Sequence, residues 1–234
     1  MEPYEEFSRE YNNYQTIFTR LYNSFLRKVQ VKHEINFERT LDLACGTGLL
    51  ISKIRSKAEK VVGLDYSPEM LKLAIESYSH FPNVEFIQGD FRKFSLPDKF
   101  SLIISSFDSF NYIDHIDELD SIFSCVASHL DKDGHFIFDV VSENYYMKIN
   151  GTSISTENSG FQNKITYNSD LRKMTSVFSF RNGTEEHHQI PIEHTDVLKS
   201  AKNNGLDIVG SFSSFNLDPL VESSERLFYI MKHK

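Results

Sequence analysis

The chain has 234 residues, 40% hydrophobic and 25% charged, which suits one large globular domain and excludes a disordered or fibrous class. Its formal net charge is -8 and no basic run exceeds Arg27-Lys28, which argues against nucleic acid or an anionic membrane as the main partner. Cys45 and Cys125 make no disulfide framework and suit reduced thiols in a cytoplasmic protein; MEPYEEFSREY is too acidic for a signal peptide, and runs such as SLIISSF are too short to span a bilayer.

Tyr4, Phe7, Tyr11, Tyr14, Phe18, Leu21 and Phe25 recur at alternating spacings of three and four, which predicts an amphipathic helix within residues 4–29, with Asn12-Asn13 as its expected breaking point. A coiled-coil seam shares this spacing but fails at Lys28, so the stripe is expected to pack on the chain's own domain, with Tyr4 as a core residue. From residue 39 strands and helices alternate. RTLDLA is a buried strand and GLLISKIRSKA a helix; KVVGLD is the next strand. Ser67-Pro68-Glu69 then supplies an N-cap, a first-turn proline and an early acid for the helix MLKLAIESY. VEFIQGD and FSLIISSF are the third and fourth strands. A helix is expected from Asp114, with Ile116, Leu119, Ile122, Phe123, Val126 and Leu130 as its apolar stripe. Asp133-Gly134 turns into a fifth strand, HFIFDVV. Such alternation implies right-handed crossovers and a parallel sheet covered on both faces.

The rhythm changes over residues 151–192, where FQNKITYN, MTSVFSFRN and TEEHHQIPI alternate like antiparallel strands between turns at Asn168-Ser169-Asp170 and Asn182-Gly183. A helix over 194–204, a Gly205 C-cap and the strands LDIVGSFSSF and ERLFYIMKH follow. With no low-complexity linker and no internal repeat, one domain (1–234) with an embellishment is expected.

The stretch LDLACGTGLL carries the first functional signal: a strand running into a glycine turn and a helix. A dinucleotide fingerprint would need a third glycine where Ile51 stands, and a phosphate-cradling loop would need Gly-Lys-Ser/Thr. A ligand without phosphate fits better. Gly46 lets the backbone approach it and Asp42 lies in the strand before the turn. Asp65 ends the second strand, where a carboxylate can accept both hydroxyls of a ribose. Asp90 ends the third, where it can receive an adenine amino group with Phe91 beside the ring. Each acid alone is an ordinary cap or turn residue; together they fall at the carboxyl ends of strands, where open α/β sheets bind ligands.

LDLACGTGLL, VVGLDYSPEML and VEFIQGDF, in that order, resemble the class I S-adenosylmethionine-dependent methyltransferases. FSLIISSFDSFNYI resembles that family's fourth-strand motif and LDKDGHFIFDV its fifth strand. YEEFSREYNNY and SERLFYIMK are similar to the two ends of a small-molecule subgroup that includes amino-sugar N-methyltransferases. The resemblance implies a Rossmann-like α/β fold with a seven-stranded sheet, mostly parallel with the last strand antiparallel, helices on both faces, a helical lid over 1–32 and an antiparallel β insert over 151–192. It implies S-adenosyl-L-methionine as cofactor. By position, Ala44, Gly46 and Gly48 form the turn, the backbone of Ala44 and Gly46 holds the methionine part, and Asp42 lies near its amino group. Asp65 takes the ribose hydroxyls, Tyr66 and Met70 border the adenosine, Asp90 and Phe91 contact the adenine, and Tyr11 or Tyr14 closes from the lid. The family often has Tyr-Asp where this chain has Tyr11-Asn12.

Methyl transfer needs an acceptor lone pair aligned in line within ~3–3.5 Å of the methyl carbon and, for some acceptors, a base. SSFDSFNY lacks the Asn/Asp-Pro-Pro-aromatic motif common in amide and DNA-adenine methyltransferases. Asp108 is either an orienter for an ammonium or hydroxyl, or a turn cap. In GTEEHHQIP a strand puts Glu185, His187 and Gln189 on one face and Glu186 and His188 on the other. His187 is then a candidate base or orienter; a solvated face is the bland alternative, and alternate Glu and His on one strand give too few ligands for a metal. His115, His129 and His194 read as structural, and Cys45 as a small packing residue. The expected partner is a small polar acceptor, not nucleic acid or membrane, for a cytoplasmic monomer or homodimer. A cofactor-binding regulatory protein and a protein or RNA methyltransferase are the alternatives.

Overall fold

The computed structural model describes residues 3–156, 161–181 and 183–234, so Asn182 of the expected turn and residues 157–160 of the expected insert lie outside the described residues. The helix α1 (Phe7–His33) precedes five strands that pair in parallel: β1 (Arg39–Leu43), β2 (Lys60–Asp65), β3 (Val84–Gln88), β4 (Phe100–Ser105) and β5 (Leu130–Val141). β1, β2 and β4 are buried along almost their whole length, as an apolar run covered on both faces should be. The short α2 (Ile51–Ile54) and then α3 (Pro68–Tyr78) connect β1, β2 and β3; Ser67 caps α3 by accepting the Met70 N–H at 3.2 Å. α4 (Glu118–His129) begins at Glu118 rather than at Asp114. Glu118 reaches back to accept the N–H groups of Asp114 and His115, both at 2.9 Å, and this holds residues 114–117 as turns.

After α5 (Glu143–Ile149), four strands form a separate antiparallel sheet in chain order: β6 (Ser153–Thr156), β7 (Phe161–Asn168), β8 (Lys173–Phe180) and β9 (Gly183–Gln189). α6 (His194–Asn203), β10 (Leu206–Phe212) and β11 (Arg226–His233) return to the main sheet, with β11 antiparallel to both β5 and β10. The seven strands lie in the order β3-β2-β1-β4-β5-β11-β10, a Rossmann-like sheet with one reversed strand. The chain changes direction across the sheet between β1 and β4, and a ligand crevice belongs beyond the carboxyl ends of those strands.

α1 is one unbroken helix of 27 residues, with no interruption at Asn12-Asn13, and is about 40 Å long at 1.5 Å per residue. Its second half buries Tyr22, Phe25, Leu26 and Val29 against Leu102, Ile104, Phe228 and Ile230 of the sheet; such apolar side chains contribute about 1.5–3 kcal/mol each. Its first half leaves the main sheet and packs on the other: Phe7 stacks on Phe178 with ring centroids 4.2 Å apart. The expected stripe does not stay buried. A spacing of 3.5 residues rotates by about 20° per heptad on a straight helix, so Phe18 and Leu21 emerge at 43% and 42% exposure while Tyr22 turns inward. Among the described residues no helix is long and apolar enough to cross a membrane.

Candidate active site

Between β1 and α2 the backbone enters the left-handed region three times, at Ala44 (φ 56°), Gly46 (φ 55°) and Gly48 (φ 77°). The glycines have different reasons to be glycine. A Cβ on Gly46 would point at the Tyr11 ring, with Cε1 at 3.5 Å; one on Gly48 would collide with Tyr78 of α3 at 2.8 Å. Gly46 therefore faces the crevice, whereas Gly48 permits helix packing. Asp65, at the end of β2, ties the turn in place: its carboxylate accepts the Gly46 N–H at 2.7 Å and the Ser67 N–H at 2.9 Å. Asp42 is 1% exposed, and neither of its carboxylate oxygens has a hydrogen-bond partner among the described residues. Burial, with the nearby Asp65 carboxylate adding to it, pushes the Asp42 carboxyl up to about 8.

The first half of α1 lies across this turn. Tyr11 covers Gly46, and Asn12 accepts a hydrogen bond from the Thr47 hydroxyl. Asn12 is thus a tie between helix and turn at the position where the resembled family often has aspartate. Tyr14 does not share this placement; it packs on Phe161 and Phe7, and its hydroxyl is buried without a partner among the described residues. Tyr4, expected as plain core, packs against the Phe7–Phe161–Phe178 cluster, with its ring centroid 4.7 Å from that of His187 and 5.9 Å from that of Tyr112.

Beyond β4, Phe107 (φ 65°) and Asp108 (φ 50°) are both left-handed, a conformation that costs non-glycine residues about 1–3 kcal/mol each. Asp139 of β5 offsets that cost by accepting their N–H groups at 2.8 and 3.2 Å. Arg226, first residue of β11, pairs with both Asp139 and Asp108, the latter at 2.7 Å. Gln189 of β9 donates to the other Asp108 oxygen at 3.0 Å. Asp108 is therefore no free acid: its carboxylate is committed to Arg226 and Gln189, and it serves to cross-link the turn, the main sheet and the second sheet.

β9 presents Glu185, His187 and Gln189 inward, with Glu186 and His188 exposed, as the strand periodicity requires. Glu185 is fully buried and caps α1: it accepts the N–H groups of Tyr4 and Phe7 at 3.0 Å each and that of Glu6. His187 is 1% exposed, so the solvated-face alternative is excluded for it. Its Nε2 lies 3.2 Å from Glu185 and its Nδ1 3.0 Å from the Tyr112 hydroxyl. Burial is the main cause of a lowered His187 pKa, which favours the neutral ring.

On the β2–β3 side, Met70 is buried and Tyr66 is 71% exposed. Asp90 receives Arg92 through Nε and Nη2 at 2.9 Å, and Arg92 also pairs with Glu118 at 3.0 Å. Burial alone would raise the Asp90 carboxyl, but Arg92's side chain and N–H hold it below the ordinary range. Phe91 packs edge-on against Phe110. The fold thus brings together Tyr11, Asp42, Ala44, Gly46 and Asp65, and sets Tyr4, Tyr112 and His187 beside them. Arg226, Asp139, Tyr112 and the capping role of Glu185 have no local sequence signal.

Residues 40–134 match the family profile described as a methyltransferase domain. A solved S-adenosylmethionine-dependent methyltransferase from Clostridium acetobutylicum superposes over 98% of both chains, with a TM-score of 0.85 at 26% identity. Residues 40–134 are thus a methyltransferase domain, and over nearly its whole length the chain is similar to a solved S-adenosylmethionine-dependent methyltransferase. Its curated relatives include the putative methyltransferase YqeM of Bacillus subtilis, 35% identical over 44% of this chain and 42% of that one. Another is the dTDP-3-amino-3,4,6-trideoxy-alpha-D-glucopyranose N,N-dimethyltransferase of Streptomyces venezuelae, 35% identical over 40% of this chain and 38% of that one. The chain thus spans about two-fifths of the length of these two relatives. The residues present fit the cofactor: Asp42 offers an unmatched buried acid to an ammonium, Gly46 leaves the place a Cβ would fill, and Asp65 retains lone pairs beyond its two N–H bonds.

Proposed function

We propose that this chain is a class I S-adenosylmethionine-dependent methyltransferase that transfers a methyl group from S-adenosylmethionine to an amine or hydroxyl of a polar small molecule by direct displacement. The Asp42 carboxylate carries this reading, because a buried acid without a partner is costly until a cation meets it. In this reading Asp42 and the backbone of Ala44 and Gly46 hold the methionine part and Asp65 takes the ribose hydroxyls. Tyr66 and Met70 border the adenosine, Asp90 and Phe91 flank the adenine, and Tyr11 closes from residues 1–32, which act as a lid. Bound there, the cofactor supplies a methyl carbon activated by its sulfonium. The protein's part is to exclude water and to align the acceptor, since correct placement alone removes much of the barrier.

The acceptor would lie beyond the carboxyl edge of the main sheet, with the lid and the second sheet as its walls, the latter belonging to an insert over residues 151–192 of a single domain. Tyr112 and Gln189, with Asp108 fixed behind them, give that space hydrogen-bonding walls. This lining and the net charge of -8 support a small polar acceptor over nucleic acid. Relatives named as amino-sugar N,N-dimethyltransferases support an amine on a sugar-like molecule. Methyl-labelled S-adenosylmethionine incubated with the protein and a small-metabolite extract should put label into a small molecule. Label confined to protein or tRNA would overturn this reading, as would tighter binding of NADH than of S-adenosylhomocysteine.

A further inference from the structure

His187 lies behind the crevice rather than in it. The groups facing it are Tyr4 and Phe7 from the N-terminal segment, Tyr112 from the turn after β4, Phe178 from β8, and Glu185 with the neighbouring His188 from β9. Its hydrogen bonds fix its tautomer. Both Glu185 oxygens already accept backbone N–H groups, three in all, and this assigns His187 Nε2 as the donor between the two side chains. In a neutral ring Nδ1 is then bare, and it must accept from the Tyr112 hydroxyl at 3.0 Å. The Tyr112 proton is thereby committed away from the crevice, and its oxygen lone pairs remain for the other side. There the Tyr112 ring meets that of Tyr4, centroids 5.9 Å apart, and Tyr112 lies in the same electrostatic neighbourhood as Tyr11 and Asp108. Tyr112 is half-buried, whereas His187 and Glu185 are sealed at 1% and 0% exposure.

We propose that Tyr112, His187 and Glu185 form a relay that takes the proton an acceptor sheds when it is methylated. The proposal rests on the methyl-transfer reading above. As the new bond from the acceptor nitrogen or oxygen to the methyl carbon forms, the carbon–sulfur bond breaks and its electron pair stays on sulfur. The Tyr112 oxygen takes the acceptor's N–H or O–H proton, and Tyr112 gives its own proton to His187 Nδ1. The positive charge that began on sulfur ends on the imidazolium, whose Nε2–H already points at the Glu185 carboxylate. Tyr112 is the residue of the three that touches the acceptor; His187 and Glu185 act through it and are positioning residues. Glu185 also clamps the start of α1, so the relay and the cover over the crevice share one carboxylate.

The test uses the full chain as wild type, Tyr112→Phe and His187→Asn. In the cofactor-free wild type, NMR of nitrogen-labelled histidine should show His187 neutral at pH 7 with its proton on Nε2, and Tyr112→Phe should shift Nδ1. Both variants should bind S-adenosylhomocysteine within ~2-fold of wild type, because neither residue touches the glycine turn. Label transfer into a small-metabolite extract at saturating S-adenosylmethionine should slow by ~100-fold in either variant, the scale of lost proton transfer. The acidic limb of the wild-type rate profile should vanish in His187→Asn. A proton on Nδ1 overturns the relay, and so does Tyr112→Phe retaining more than about a third of the wild-type rate. A wild type that labels no small molecule fells the functional reading and the relay together; an active wild type with an equally active Tyr112→Phe fells the relay alone.

Discussion

Replacing Asp42 by asparagine should stabilise the cofactor-free protein while weakening its hold on the cofactor. The folded chain keeps a proton on Asp42 up to about pH 8, whereas an unfolded aspartate releases it near 3.9. A folded pKa that is raised means stability is fully present below pH ~4 and falls as pH rises towards 8, by at most ~1.4 kcal/mol per unit. At pH 7 the accumulated cost is about 2–4 kcal/mol, which the Asp42→Asn variant escapes because its amide has no proton to lose. Binding acts in the opposite sense: an ammonium selects the ionised carboxylate, so wild type should release up to one proton per S-adenosylhomocysteine bound at pH 7. Its affinity should rise by up to ~10-fold per unit between pH 6 and 8. Urea unfolding from pH 5 to 8, with calorimetry in buffers of different ionisation heat, measures both. Wild-type binding that releases no proton, together with an Asp42→Asn variant less stable than wild type at pH 7, would refute this role of Asp42.

Glu185→Ala would leave the N–H groups of Tyr4, Glu6 and Phe7 without their acceptor. Local opening should become easier by about 2–3 kcal/mol, so amide exchange over residues 4–14 should speed up by ~30–140-fold with little change in global unfolding. Unchanged exchange there would mean that Glu185 does not hold the helix down. Arg226→Leu would strand the buried Asp139 carboxylate and the half-buried Asp108, and should cost about 3–5 kcal/mol in urea unfolding. Lowering pH towards 4 should recover part of that loss as Asp139, whose pKa burial raises despite Arg226, takes up a proton. A loss below ~1 kcal/mol would show that the pair does not brace the turn.

The sheet was legible because its signal is local. LDLACGTGLL and KVVGLD carry strands that are apolar on both faces with an acid in or at the end of each, so strand type, parallel pairing and ligand edge all follow from short windows. β9 was legible too, since Glu185, His187 and Gln189 fall on one face by period alone. Arg226 and Asp139 were not: 87 residues separate them, and Asp139 sits inside the apolar run HFIFDVV where nothing marks it as half of a pair. Asp108 looked available for the same reason, as its partners come from β9 and β11. Along α1 a spacing nearer to a heptad than to 3.6 overstated how far one apolar face could remain buried.

The cap on α1 joins residues 178 to 181 positions apart in the chain. A ribosome adding ~5–20 residues per second therefore releases the start of α1 about 10–40 s before it makes Glu185. Closing so long a loop unaided would cost roughly 5 kcal/mol of chain entropy, so the contact has to wait until both sheets hold its ends close. The same delay applies to the turn after β4, whose braces on β9 and β11 are synthesised late. The nascent chain thus completes its glycine turn early and spends much of its synthesis with Tyr4, Phe7 and Tyr11 uncovered. Those aromatics are a point of exposure for chaperones or for mispairing, and a chain stalled before β9 would carry the turn without its cover.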